Sequence, residues 1–181
     1  MSNILIFPTD TVYGIGCPIF DIEGINKIYE IKHRSKEKPL ACLCANLNQI
    51  EDIALVNHTA RKLINSFMPG ALTLILPAKE NVTKVIGYKT IGVRIPDSSI
   101  ARDILNTYGP MLTTSVNESG SIPLNDYDEI IRSYEKFVKK IYPPQGITSN
   151  ISSTVIDLCQ KEIQLLREGT LTLEEILKKI V

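Results

Sequence analysis

Short apolar runs and stretches with helical spacing follow one another along the chain. Apolar runs that end near a proline, glycine or polar turn predict strands at 3–7, 40–45, 71–76, 90–95, 111–115, 154–158 and 163–166. Apolar positions three and four residues apart predict helices at 22–31, 59–67, 98–108 and 126–137. A last helix is expected from Thr172, because Glu175 completes a capping box there.

This alternation of strands and helices predicts an α/β fold, with helices packed on a sheet. Only a short polar turn separates the last two strands, so we expect them to be antiparallel and the sheet to be mixed. A chain of 181 residues suits one core, and we predict a single domain over residues 1–181. The polar stretches 117–125 and 142–152 are expected to be loops beside a site.

Charge and composition exclude several classes of protein. The 20 basic and 20 acidic residues balance, so net charge does not indicate a nucleic-acid or membrane partner. No segment has the roughly 20 apolar residues that cross a bilayer, and the first residues do not resemble a signal peptide. The four cysteines lack the spacing of a zinc site, so we expect reduced thiols, no bound structural metal and a cytoplasmic protein.

Familiar catalytic motifs are absent from the sequence. It has no Walker A loop, G-x-G-x-x-G, H-E-x-x-H or G-x-S-x-G. The two histidines, His33 and His58, are expected to be exposed polar residues. Any chemistry must therefore come from segments that are individually less specific.

Four segments place polar or charged residues next to predicted strands. Segment 8–16, P-T-D-T-V-Y-G-I-G, is by itself typical of a strand-to-helix turn. Segment 32–39 has five residues that can be cationic, which suits either a solvated helix end or a clamp for phosphates. Arg94 lies inside an apolar strand, where a charge is costly unless it is paired or reaches a cavity. Segment 113–120 places short polar side chains at every second position, which suits ligand contacts.

Taken in order, these segments resemble the YrdC-like threonylcarbamoyl-AMP synthase family. The motifs are P-T-D-T-V-Y-G-x-G at 8–16, K-x-R at 32–34 with Lys38, P-G-x-L-T at 69–73, T-x-x-V-R at 90–94, S-x-N then S-G at 115–120, S-T-V-x-D at 153–157 and L-R-x-G at 166–169. Each motif is weak alone, but the ordered set covers nearly the whole chain.

The resemblance implies a twisted mixed parallel and antiparallel sheet, flanked by helices, around a basic cavity. It implies formation of threonylcarbamoyl-AMP and pyrophosphate from ATP, L-threonine and bicarbonate, with Mg²⁺ accompanying ATP. A separate complex would then transfer the threonylcarbamoyl group to an adenosine beside the anticodon of certain tRNAs. A weak contact with tRNA and the absence of a membrane contact are further expectations.

The resemblance also assigns roles to individual residues. Those expected to bind L-threonine are Thr11, Arg94, Thr113 and Ser153. Those expected to bind ATP are Arg34, Lys38, Thr90, Ser115, Asn117 and Arg167. Lys32 and Arg34 are assigned to catalysis, and Lys32 is expected to line the same cavity. Cations suit this reaction because its reactants are nearly all anions.

Some features depart from the family pattern, and other functions stay open. The chain begins almost at its first strand, so we expect one covering helix to be missing, and Pro123 and segment 142–152 also differ from the pattern. One alternative is a relative that makes a carbamoyl adenylate from carbamoyl phosphate and ATP, as in hydrogenase maturation. Others are an RNA-binding module without catalysis and a member that binds nucleotide without turnover.

Overall fold

A single mixed sheet of nine strands organises the residues described by the computed structural model, which are 3–146 and 148–180. In chain order the strands are β1 Leu5–Phe7, β2 Gly14–Pro18, β3 Ala41–Leu43, β4 Leu72–Pro77, β5 Thr90–Arg94, β6 Met111–Ser115, β7 Lys140–Ile141, β8 Thr154–Asp157 and β9 Gln164–Arg167. Their spatial order is β7-β1-β2-β6-β3-β5-β4-β8-β9. The pairs β1/β7, β3/β5 and β4/β8 are parallel and the remaining pairs are antiparallel, so the predicted mixed sheet is confirmed.

Seven α-helices flank this sheet within the same described residues. They are α1 Ile22–Ile31, α2 Leu47–Ile53, α3 His58–Phe67, α4 Glu80–Ile86, α5 Ser99–Tyr108, α6 Tyr127–Tyr134 and α7 Leu173–Leu177, and a 3₁₀ turn, Glu135–Phe137, follows α6. Six of them begin at a side chain that accepts a hydrogen bond from the backbone N–H three residues on, which satisfies one unpaired donor of the first turn. These capping residues are Asp21, Asn46, Asn57, Ser98, Asp126 and Thr172. The predicted capping box of Thr172 and Glu175 is confirmed.

The two faces of the sheet have different partners because side chains alternate along each strand. On β4, Leu72, Leu74 and Leu76 enter the main hydrophobic core, whereas Thr73 and Ile75 line a cavity on the opposite face. The main core also contains buried residues of α1, α2, α3, α4, α6 and α7. Most of the helices therefore cover one face.

Helix α5 packs on the other face, at one end of it. Its residues Ala101, Ile104 and Leu105 form a second cluster with Phe7 of β1 and Met111 of β6. No other helix of the described residues contributes a buried residue to this cluster. The rest of that face is left open, and this opening is the cavity.

The structure differs from the predicted elements mainly at β2. Segment 8–16 was expected to lead into a helix, but residues 8–13 form a turn and Gly14–Pro18 returns antiparallel to β1. Glycine has a low strand propensity, so the sequence around Gly14 and Gly16 does not predict a strand. The short α2, α4 and β7 also gave no clear periodic signal.

The cysteines and loops agree with the prediction. Cys42 and Cys44 are fully buried in the main core, and all four cysteines have free thiols. Residues 117–125 and the described part of 142–152 contain no helix or strand; residue 147 lies outside the described residues. None of the helices described is long and apolar enough to span a membrane.

Gly16 is required by a close approach between β2 and β6. A Cβ atom at position 16 would lie 2.6 Å from Thr113 Oγ1 and 2.9 Å from the Leu112 carbonyl oxygen. At Gly92 of β5, the nearest atom would be the flexible end of Ile75 at 3.1 Å.

We predict that Gly16→Ala lowers the free energy of unfolding by about 1–3 kcal/mol, because the backbone carbonyl cannot move away from the new methyl group. Gly92→Ala, the matched control, should cost less. Urea unfolding of both variants measures the difference, and equal losses would contradict the prediction.

Candidate active site

A cavity of about 500 Å³ opens on the sheet face that α5 leaves uncovered. This volume is typical of sites for small molecules. Alternate residues of two central strands line it, Ala41 and Leu43 of β3 and Thr90, Gly92 and Arg94 of β5, together with Thr113 of β6.

Positive charge predominates on the wall of this cavity. Among the described residues that line it are three arginines, Arg34, Arg94 and Arg167, and one carboxylate, Asp157. Arginine suits planar, bidentate recognition of carboxylates and phosphates. The wall therefore offers binding groups for an anionic ligand.

Most of the residues predicted for the site meet at this cavity. Eight of the eleven line it: Thr11, Arg34, Thr90, Arg94, Thr113, Ser115, Ser153 and Arg167. The other three, Lys32, Lys38 and Asn117, are not on its wall. Segments that lie as far apart as 11 and 167 in the sequence are brought together by the strand order of the sheet.

Arg94 is almost fully buried and contacts three protein groups. Its Nη2 lies 2.5 Å from Asp10 Oδ1, its Nη1 donates to Thr11 Oγ1 at 2.8 Å, and its Nε donates to the Gly70 carbonyl at 2.8 Å. Burial lowers the pKa of Arg94, and the charge of Asp10 opposes that shift. A guanidinium has five N–H donors, so one donor of each terminal nitrogen remains for a ligand.

A second cluster of polar groups surrounds Ser153. Its hydroxyl lies 2.8 Å from Thr73 Oγ1 and accepts a hydrogen bond from Arg167 Nη2 at 3.2 Å, and its carbonyl accepts from Arg167 Nε at 3.0 Å. Thr73 is a buried residue of the cavity wall and was not among the predicted site residues. Its position between Leu72 and Leu74, in an otherwise apolar strand, is the feature of the sequence that could have indicated a site residue.

Thr113 lies across from the two glycines of β2. Its Cγ2 would be 2.7 Å from a Cβ atom at Gly14, and its Oγ1 would be 2.6 Å from a Cβ atom at Gly16. The Thr113 hydroxyl donates to the Met111 carbonyl at 3.0 Å. The glycines of the P-T-D-T-V-Y-G-x-G motif thus leave room for a polar side chain on the cavity wall.

The structure corrects the expectation that Lys32 lines the cavity. Lys32 is only 1% exposed, and its ammonium group donates to the Asn117 carbonyl at 2.6 Å, to Asn117 Oδ1 at 3.1 Å and to the Ser115 carbonyl. The Lys32 carbonyl in turn accepts from the backbone N–H of Ser119 at 3.1 Å. Lys32 lies at the end of α1, where the chain turns behind the cavity wall, so it stabilises the loop that comes after β6.

The loop after Lys32 is organised by Arg34. The Arg34 guanidinium donates from Nε to the Lys38 carbonyl at 2.9 Å and from Nη2 to the Pro39 carbonyl at 3.1 Å. Tyr29 also donates its hydroxyl to the Lys38 carbonyl, at 3.2 Å. The side chain of Lys38 is exposed on this loop, so a contact of Lys38 with a ligand in the cavity stays a prediction.

The fold and the cavity define a class of protein: an α/β domain with an arginine-lined cavity on an open face of its sheet. A family model for the Sua5, YciO and YrdC proteins, described as telomere recombination, matches residues 2–169. The chain belongs to this family, and the resemblance inferred from its motifs is confirmed.

Individual relatives agree with this assignment. The threonylcarbamoyl-AMP synthase of Pyrococcus abyssi is 35% identical over 183 residues, which cover 99% of this chain and 54% of that protein. The crystal structure of P. abyssi Sua5 complexed with L-threonine superposes with a TM-score of 0.92 at 35% identity, over 98% of this chain and 54% of that one. The crystal structure of Escherichia coli YciO gives 0.86 at 29% identity, over 97% and 87%. The chain thus spans about half the length of the Pyrococcus relative.

The burial of Lys32 predicts an unusual dependence of stability on pH. Burial and the nearby charge of Arg34 lower the pKa of Lys32 from 10.5 to about 8. Between these values the unfolded chain binds a proton that the folded protein has lost, so stability rises with pH in this window. Below pH 8 both states are protonated and the dependence disappears.

We therefore expect the free energy of unfolding of the wild type, relative to Lys32→Met, to increase between pH 8 and pH 10. Urea unfolding at pH 7, 8.5 and 10 measures this difference. Lys161→Met, at an exposed turn position between β8 and β9, is the control. The prediction would be contradicted if the difference in free energy of unfolding between wild type and variant changed equally with pH for Lys32→Met and for Lys161→Met.

Proposed function

We propose that this chain is an L-threonylcarbamoyladenylate synthase, which makes threonylcarbamoyl-AMP and pyrophosphate from ATP, L-threonine and bicarbonate. The observation that supports this most directly is the convergence of Thr11, Arg94 and Ser153 with Arg34 and Arg167 in one cavity. The name of the Pyrococcus relative and the L-threonine in its crystal structure support the same activity.

The length of the cavity suits an amino acid placed next to a nucleotide. Arg94, Gly92 and Thr90 are successive residues of one face of β5, and a strand rises about 3.3 Å per residue, so Arg94 and Thr90 are about 13 Å apart. Gly92 and Ala41 line the wall between the two ends. We assign the Arg94 end to L-threonine and the Thr90 end to ATP.

At the Arg94 end, the protein offers groups that match an amino acid. The two remaining donors of Arg94 can bind the carboxylate of L-threonine. The hydroxyls of Thr11, Thr113 and Ser153 can bond its polar groups, and a site that bonds a substrate hydroxyl strongly rejects an analogue without it. The hydroxyl of L-threonine is therefore expected to matter for activity.

At the other end, charge offsets the repulsion between anions. Arg34 lies on the wall, where it can neutralise the phosphates of ATP and the leaving pyrophosphate. Arg167 is bonded to Ser153 and lies nearer the Arg94 end, so its contact with ATP stays a prediction. Thr90 and Ser115 add hydroxyl groups. Lys32 and Asn117 contribute from behind the wall, because the Lys32 ammonium group holds the carbonyl groups of Ser115 and Asn117. A direct role of Lys32 in catalysis would require its ammonium group to leave the Ser115 carbonyl, the Asn117 carbonyl and Asn117 Oδ1.

The reaction can proceed without a nucleophile from the protein. The amino group of L-threonine attacks the carbon of bicarbonate, and water leaves as the carbamate forms. A carbamate oxygen then attacks the α-phosphorus of ATP, the bond to the β-phosphate oxygen breaks, and pyrophosphate leaves. The cavity contributes by holding the reactants in line and by stabilising charge.

Mg²⁺ is the expected companion of ATP. The described residues contain no group of three or more His, Cys, Asp or Glu side chains that could hold a metal by themselves. One wall carboxylate, Asp157, whose Oδ1 accepts from the Cys159 N–H at 2.7 Å, fits a metal held mainly by phosphate oxygens and water. Such an ion would neutralise charge on the triphosphate.

The chemistry of the product calls for a second enzyme. Threonylcarbamoyl-AMP is a mixed anhydride, so a separate enzyme must take it up and transfer its acyl group. We assign this step to a tRNA threonylcarbamoyl-transfer complex and the protein to the cytoplasm. A weak contact of this chain with tRNA stays a secondary expectation.

Pyrophosphate release tests the proposed function. Purified protein is given ATP and Mg²⁺, with and without L-threonine and bicarbonate, and we expect release only when both are present, with L-serine as a much poorer substrate. Release that requires carbamoyl phosphate instead would identify a carbamoyl-adenylate synthase. No release by protein that still binds ATP or RNA would contradict the proposal.

We predict that Arg34→Ala reduces pyrophosphate release by at least about a hundredfold, because a cation that stabilises transferring phosphate is lost. Arg132→Ala, at an exposed position of α6, is the control and should retain full activity. Because Arg34 also organises its own loop, circular dichroism must show that both variants are folded. Normal turnover by folded Arg34→Ala would remove this residue from the site.

A further inference from the structure

A second, smaller pocket of about 130 Å³ lies behind the loop formed by residues 34–39. Pro39 and Leu40 line both this pocket and the main cavity, so the end of the loop separates the two. Tyr29 of α1 and Tyr88, which follows α4, line the smaller pocket and not the main cavity. The two tyrosines therefore face the loop from the side opposite to the cavity.

Tyr29 holds both ends of this loop. Its carbonyl accepts from the backbone N–H of Arg34 at 2.9 Å, and its hydroxyl donates to the Lys38 carbonyl at 3.2 Å. The Nε of Arg34 donates to the same Lys38 carbonyl at 2.9 Å. A carbonyl oxygen has two lone pairs, so it can accept both bonds. Tyr29 thus holds in place the acceptor that orients the Arg34 guanidinium.

Tyr88 holds the middle of the loop. Its hydroxyl donates to the Lys36 carbonyl, and the Lys36 ammonium group donates to Asn26 Oδ1 of α1 at 2.8 Å. Tyr88 also lies two residues before Thr90, the first residue of β5 and part of the cavity wall. The bond from Tyr88 therefore joins two segments that each contribute a wall residue, Arg34 and Thr90.

The loop leaves part of the Arg34 guanidinium available for a ligand. Two of its five N–H donors bond the carbonyls of Lys38 and Pro39, so three remain for an anion. Arg34 is only partly buried, and a long side chain with many rotamers costs free energy to order when a ligand binds. A loop that holds Arg34 in one orientation beforehand reduces this cost.

We propose that Tyr29 and Tyr88 are positioning residues for nucleotide binding, because they hold loop 34–39 in the conformation in which Arg34 lines the cavity. They act through the carbonyl groups of Lys38 and Lys36 and do not contact the reacting atoms. The identity of the ligand as ATP rests on the proposed function, whereas the conformation of the loop results from hydrogen bonds within the protein.

Calorimetric titration of Tyr29→Phe and Tyr88→Phe with ATP and Mg²⁺ tests the proposal. Each variant keeps the aromatic ring and loses only the hydroxyl, so each should weaken ATP binding about fivefold, as for the loss of one hydrogen bond. The affinity for L-threonine should stay unchanged, because its proposed position is at the Arg94 end. Tyr108→Phe, at a partly buried tyrosine that packs on the cluster of α5, is the matched control and should bind both ligands as the wild type does.

A double-mutant cycle separates the positioning role from a general effect on the fold. In protein that already contains Arg34→Ala, Tyr29→Phe should cause no further loss of ATP affinity, because its effect reaches the ligand through Arg34. Losses that simply add to that of Arg34→Ala would overturn the proposal. So would equal losses of affinity for ATP and for L-threonine in the single variants.

These binding measurements do not require turnover, so they separate this proposal from the proposed function. If the wild type binds ATP but releases no pyrophosphate, and the variants behave as expected, the positioning role stands and only the synthase activity fails. If the wild type releases pyrophosphate but both tyrosine variants bind ATP as Tyr108→Phe does, the positioning role is overturned and the synthase activity stands. A wild type that binds no ATP would overturn both.

Discussion

The buried charge of Arg94 is the constraint on which the rest of the site depends. A guanidinium inside an apolar strand is stable only when its donors are satisfied and its charge is balanced. Asp10 and Thr11 from the β1–β2 turn and the Gly70 carbonyl before β4 supply these contacts. One side chain therefore connects three segments that are distant in the sequence, and the same side chain lines the cavity.

The cavity itself results from unequal coverage of the sheet. Six helices cover one face, and α5 covers only one end of the other, where it packs against Phe7 and Met111. The uncovered strands place short or polar residues on that face, such as Ala41, Gly92 and Thr113. The alternation of side chains along a strand thus gives the same strand a hydrophobic core on one side and a binding surface on the other.

Lys32 shows that a motif of two cations does not specify where each of its charges acts. Its spacing to Arg34 suggested two cations in one cavity, but the Lys32 ammonium group donates to the backbone oxygens of Ser115 and Asn117. Arg34 alone of the pair is on the wall. This buried ammonium group stabilises the loop after β6 through three oxygen acceptors, and the loop follows Ser115 of the cavity wall.

The order of motifs, the alternation of elements and the capping box of Thr172 were sufficient to predict the mixed α/β sheet, most helices and the family. Those features depend on local periodicity and on residues close in the chain. Only the tertiary structure revealed β2, hidden by Gly14 and Gly16, the Thr73–Ser153 pair and the burial of Lys32. These depend on strand order and register, which bring together residues separated by about 80 positions and which no local pattern contains.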